Sequence, residues 1–238
     1  MSDVFYWPTI DLLMWGLTSS YLRSYISNGV SIVTMIISGI LLWIMTWRGQ
    51  YEITVNFLDE LWNKNLINVF AAPVKLSEWV TSVIIIGIVK AIISITFASG
   101  VAYLFYKVNF FSYGFQMLPI ILLLIMSGWW VGFIVAGVIL RFGTRVQTLA
   151  WTAVWLISPF SAIYYPLSAL PVWAQTVAKF VPTSYMFEAA REIIKTGYLD
   201  GNKIYISLGL NLIYLILALI FLQKSFDKVL DKGLVKVY

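Results

Sequence analysis

Cysteine and histidine are both missing from this 238-residue chain. Their absence excludes a structural disulfide, a thiolate nucleophile, a histidine-ligated haem or zinc, and an imidazole proton relay. Charge is scarce too: Lys, Arg, Asp and Glu make up 11% of the residues, and inside the five longest apolar stretches only Lys90 is charged. The sequence has no G-x-x-x-x-G-K-[ST] loop, so nothing in it is built to cradle the phosphates of a nucleotide. Clustered catalytic carboxylates are absent from the apolar stretches as well, which leaves a membrane enzyme with the least support.

What is present is hydrophobic. Apolar residues account for 61% of the chain and are gathered into stretches at 28–47, 80–106, 109–140, 146–165 and 204–222. Each is near or above the roughly 20 residues that cross about 30 Å of hydrocarbon. In lipid the backbone must bond to itself, and continuous apolar runs lack the alternation of barrel strands, so the stretches read as helices. A further segment at 5–22 contains Asp11, yet its aromatics, its Pro8 near the start and its length suit a spanning helix. The expectation is an all-α, polytopic membrane protein of one domain, 1–238. Its six transmembrane helices are placed at 5–22, 28–47, 77–106, 115–140, 146–165 and 204–222, with no linker or repeat dividing them.

The start, Met1-Ser2-Asp3, is acidic where a secretory signal is basic, so the N-terminus is expected to be retained. The formal charge of +5 does not call for nucleic acid, because the basic residues sit at helix ends where the positive-inside effect accounts for them. With six spans, Arg48, Lys64, Lys75, Arg141, Arg145 and the lysines of the tail fall on one side, which is expected to be the cytoplasmic side of the inner membrane with both termini. Trp7, Trp43, Trp47, Tyr106, Trp151, Tyr164 and Tyr165 lie near predicted ends, where headgroup anchoring is their default role.

Two segments do not read as spans. Residues 53–72 place Leu58, Leu61, Trp62, Leu66 and Val69 at helical spacing opposite Asn56, Asp59, Glu60, Asn63 and Lys64, and Pro73 stops the pattern. This predicts an amphipathic cytosolic helix, either an interfacial anchor or a docking helix for a soluble partner. Residues 166–197 are broken by Pro166, Pro171 and Pro182, so short re-entrant or interfacial outer helices are expected over 170–196. In the second of them Glu188, Arg191, Glu192 and Lys195 form one polar stripe, fit for the outer headgroup level or for a gate over an outward path. Lys90 lies about 18 Å into its span, too deep to reach water unaided, and Asp11 is the acidic residue expected to pair with it. Gly128, Gly132 and Ala136 form a small-residue ridge expected to serve close helix packing.

Three passages together resemble the membrane subunits of type-2 ABC exporters, the permease family of drug, lipid and polysaccharide efflux. They are WPTIDLLMWG at 7–16, FLDELWNKNLINVFAAPVKLSEW at 57–79 and LPVWAQTVAKFVPTSYMFEAAREIIKTG at 170–197. The resemblance implies a half-transporter that pairs with a second copy of itself in membrane lipid and is driven by a separate ATP-binding subunit. ATP and Mg would then be bound by that partner, with no cofactor or metal in this chain. The inner helix would carry the force, with Asp59, Glu60, Trp62, Lys64 and Asn65 as the contact with the ATPase. The path would lie between two copies, lined by the second and fifth spans; here Ser31, Thr34, Ser38 and Met45 share one face, and Trp151, Trp155, Ser158 and Tyr165 another. Those faces equally suit lipid contact or helix packing. An aromatic path with a few hydroxyls fits an amphipathic, lipid-like, drug-like or glycan cargo. The alternative is an ion-coupled secondary transporter, for which Asp11 alone could carry a proton, though paired intramembrane carboxylates and an inverted repeat are absent.

Overall fold

The computed structural model describes residues 2–23, 32–63 and 75–232, and the described chain contains helices and turns but no strand. Its α-helices are α1 (Asp3–Arg23), α2 (Ile32–Trp62), α3 (Leu76–Tyr106), α4 (Leu118–Phe142), α5 (Leu149–Thr152), α6 (Val172–Ala178), α7 (Pro182–Thr196) and α8 (Gly201–Lys232). Among the described residues, four segments are long and apolar enough to cross a membrane: Ile32–Trp62, Leu76–Tyr106, Phe110–Val146 and Gly201–Val229. The other two expected spans, 5–22 and 146–165, do not join them. α1 has 21 residues but carries Asp3, Asp11 and Arg23.

Of the expected spans, 77–106 is met almost residue for residue by α3. Glu78 accepts a hydrogen bond from the Lys75 backbone N–H at 2.9 Å and so closes the helix start. The expected break after residue 47 is not found. α2 runs unbroken for 31 residues, about 46 Å at 1.5 Å per residue, so 53–62 is its continuation and not a separate helix. Residues 48–52 contain no proline, and their polar side chains find partners inside the protein, so they have no reason to end the helix. The remainder of the predicted amphipathic helix, from residue 64 on, lies outside the described residues.

The predicted span at 146–165 is also corrected. It is a succession of short turns: α5, then 3-10 turns at Ala153–Leu156 and Ser158–Phe160. Pro159 lacks the N–H that an α-helix needs there, and Ala162 adopts the left-handed region with φ 58°, which turns the chain away from a helical path. Beyond it, the prolines act as expected. α6 and α7 are two short helices, α7 begins at Pro182, and Gly197 ends it with φ 73° and an N–H bonded to the Ile193 carbonyl at 2.8 Å.

α2 is the central helix, packed against α4, α3, α1 and α7, while α8 packs on α4. The α2–α4 crossing depends on missing side chains. A Cβ on Gly49 would stand 2.5 Å from the Ile125 carbonyl oxygen, and one on Gly128 would strike the Thr46 carbonyl oxygen and lie 2.8 Å from the Gly49 Cα. A Cβ on Gly132 would meet Ile53 at 3.0 Å, and Ala136 is buried, so the small-residue ridge packs as the sequence predicts. Away from this core, α3 exposes Ile85, Ile86, Val89, Ile92 and Ile93, and α8 exposes Leu212, Ile213, Ile216, Leu217 and Ile220. Apolar stripes of that length suit lipid as the surrounding solvent.

Candidate functional site

Aromatic residues recur at four-residue steps on two elements, and the fold turns those two faces, with one face of α1, toward one cleft. Trp43, Trp47 and Tyr51 come from α2, Trp7 and Asp11 from α1, and Trp151 and Trp155 from the turns after α4. The cleft has a volume of about 360 Å³. Trp43 and Trp155 approach with ring centroids 5.7 Å apart. At the end of α2, Trp62 stacks on Trp151 at 5.9 Å, and its indole N–H donates to the Gln147 side-chain oxygen at 3.0 Å. The wall carrying Trp151 is held in register by α2, since Gln50 and Thr54 donate to the Ala150 carbonyl at 2.5 and 3.0 Å. Trp43 is buried, and its indole N–H has no acceptor.

Asp11 is half-buried in this cleft, with no hydrogen bond or ion pair among the described residues. The expected Lys90–Asp11 pair is therefore not formed. Lys90 instead donates to Glu52 at 2.6 Å. Arg48, fully buried, donates to Glu52 at 3.2 Å and to Asp3 at 2.7 Å, so two cations and two carboxylates join α1, α2 and α3. The reason is register: Glu52 lies one helical turn beyond Arg48, inside the helix that the sequence suggested had ended. Burial alone would raise the pKa of Asp3, but hydrogen bonds and charge interactions with the Arg48 guanidinium and with the chain's amino group together outweigh that and hold it below the ordinary 3.8. Arg48 also lies 4.9 Å from the Trp47 ring centroid and 5.6 Å from that of Tyr51. The charge cluster thus backs the cleft and fixes two of its rings.

The polar stripe of α7 faces protein over half its length. Arg191 donates to the Ala162 and Tyr165 carbonyls, the latter at 2.7 Å, and Glu188 accepts the Leu167 backbone N–H at 2.9 Å. These two side chains satisfy the loop that Pro159 and Ala162 force out of helical geometry. Burial lowers the pKa of Arg191, with Glu188 acting in the opposite sense. Glu192 bonds Lys203 of α8 at 2.6 Å, and Lys195 is exposed.

The remaining predicted site residues are scattered. Ser38 and Met45 are enclosed within the protein, while Thr34, Ser158 and Tyr165 are half-buried. Asp59 and Trp62 are exposed at the end of α2 and Glu60 is half-buried beside them. Ser31, Lys64 and Asn65 lie outside the described residues. Sequence reasoning missed Arg48, Glu52 and Tyr51 as site-forming residues, and also Asn211 of α8. Asn211 accepts from Ser127 at 2.8 Å and from the Trp130 indole at 3.1 Å, binding α8 to α4. The legible signal for Tyr51 was its place four residues after Trp47.

Comparison with known families gives one match: a model of the ABC-2 type transporter family covers residues 1–195. No curated protein matches the chain.

Proposed function

The chain belongs to the ABC-2 type transporter family, a membrane permease component of ABC transporters, and on that premise we propose that it is the membrane subunit of an ATP-driven exporter. Two copies traverse the cytoplasmic membrane, both termini of each lie in the cytoplasm, and a separate subunit binds ATP and Mg. The cargo is amphipathic: lipid-like, drug-like or a glycan.

The observation that supports this most is the length of α2. At about 46 Å it exceeds the roughly 30 Å of hydrocarbon, so an end must leave the bilayer core. The end that carries Asp59, Glu60 and Trp62 is the polar one. A continuous helix is stiffer than a separate lever joined by a loop. Force received at Asp59 and Glu60, with Trp62, Lys64 and Asn65 completing the contact, would reach Tyr51, Trp47 and Trp43 along one rod. Trp62 stacked on Trp151 couples the same push to the opposite wall of the cleft. Trp151 and Trp155 line the path, and Glu188, Arg191, Glu192 and Lys195 serve as its outer gate. The test is affinity purification of the tagged chain from native membrane with a photo-crosslinker at Asp59. The reading expects a nucleotide-binding subunit crosslinked at that position, and a chain purified intact with no such subunit attached would contradict it.

A further inference from the structure

We propose that the aromatic cleft is a binding site for a hydrophobic organic cation, an ammonium or phosphonium with a bulky apolar body. As an account of cargo, this rests on the permease reading above. Three observations carry it. First, Asp11 sits in the cleft with no hydrogen bond or ion pair among the described residues, although an ionised carboxylate half-removed from water is costly unless a positive charge offsets it or a proton neutralises it. Second, the neighbouring charges cannot supply that offset. Arg48 is engaged by Asp3 and Glu52, and Lys90 by Glu52, so neither cation is bonded to Asp11. Third, the walls are Trp43, Trp47, Trp151 and Trp155, whose ring faces attract a cation lying within about 6 Å.

Other cargo chemistries fit the cleft less well. An anion would meet the Asp11 carboxylate with no free cation beside it. A polyhydroxylated sugar would need many hydrogen-bond partners, and the named lining offers few beyond the Asp11 carboxylate, the Tyr51 hydroxyl and indole N–H groups. The protein already makes the proposed kind of contact in the same place, where the Arg48 guanidinium lies against Trp47 and Tyr51.

The test compares tetraphenylphosphonium with tetraphenylborate, which share a shape and differ in the sign of charge. Binding to the full chain in discs of zwitterionic lipid is read by equilibrium dialysis, with protein-free discs subtracted. The proposal expects saturable phosphonium binding, tighter than borate binding by about tenfold or more, given one uncompensated carboxylate at contact distance. Asp11→Asn should abolish that preference and Asp11→Glu should keep it, so retained borate binding separates loss of charge from loss of fold. Equal affinity for the two ions on the unsubstituted chain, or phosphonium binding to Asp11→Asn within about twofold of the parent, overturns the proposal. The assay needs no ATPase, so such a failure leaves the permease reading standing. Binding as expected by a chain that associates with no ATP-binding subunit would remove the transport reading and leave the cation site.

Discussion

Glu52 neutralises two cations from two helices, and that makes it the residue whose loss the fold tolerates least. Arg48 is fully buried and Lys90 is mostly so, and each depends on this carboxylate at 3.2 and 2.6 Å. Glu52→Gln would leave a net positive charge in the interior, at a cost on the order of 3 kcal/mol, as for other broken buried pairs. The measurement is the thermal unfolding temperature in detergent, which should fall clearly, while Glu60→Gln at the half-buried end of the same helix should change it little. Asp3 makes the cluster pH-dependent in a definite direction. Its pKa is lower folded than unfolded, so its stabilisation is complete above the ordinary value of 3.8 and is lost as pH falls through the lower, folded value. Unfolding temperatures of the parent and Asp3→Asn should therefore differ at neutral pH and converge in acid below that window. Asp11, by contrast, was conspicuous in the sequence as a charge in an apolar run, but its surroundings were not. Glu52 stands at the local i, i+4 spacing from Arg48, but the other partner of Arg48 and the partner of Lys90 lie 45 and 38 residues away, and no local pattern announces those.

Among the elements, α3 was the most legible, because it is one long apolar run and composition alone settles its length, whereas α8 was found in place but read too short, since it continues past residue 222 through Gln223, Lys224, Asp227 and Lys228. α2 was read too short for the opposite reason. Arg48, Gln50 and Glu52 look like the water-facing end of a span, and only the fold supplies the partners that allow a helix to carry them inside. The segment at 146–165 was read too regularly: Pro159 was visible, and its missing N–H interrupts the helical ladder, but the turns that begin at Ala153 and the left-handed Ala162 carry no such mark in the sequence. The small-residue ridge was read correctly because the spacing of Gly128, Gly132 and Ala136 places them on one face, and only close approach gives such a face a purpose. Adding a methyl tests the crossing directly. Gly128→Ala should force α2 and α4 apart and destabilise the protein by about 1–3 kcal/mol, as overpacking does elsewhere. Gly209→Ala, inside α8 with nothing within 4 Å of its Cβ, should not lower the unfolding temperature in the same measurement and should raise it slightly through the better helix propensity of Ala.

For the whole molecule, the helices matter through what they connect. α2 joins an exposed polar end at Asp59 to the charge cluster at Arg48 and Glu52 and to three rings of the cleft, in one unbroken element. The i, i+4 spacing of Trp43 with Trp47 and of Trp151 with Trp155 was readable as faces in the sequence. That the faces meet across one cleft with Asp11 between them was not, because it depends on how α1 and the broken segment lie against α2. On the proposed reading, a push at one end of this rod becomes a change at the cleft, and separating the two ends should leave ATP hydrolysis without transport. The most direct measurement is ATP-dependent uptake of cargo into inside-out vesicles containing this chain and its ATP-binding subunit, with ATP hydrolysis followed in parallel. The account predicts that uptake requires hydrolysable ATP and that the double substitution Asp59→Lys, Glu60→Lys abolishes it while the protein still inserts. Uptake that proceeds without nucleotide, or coupled transport undiminished by the double substitution, would contradict it.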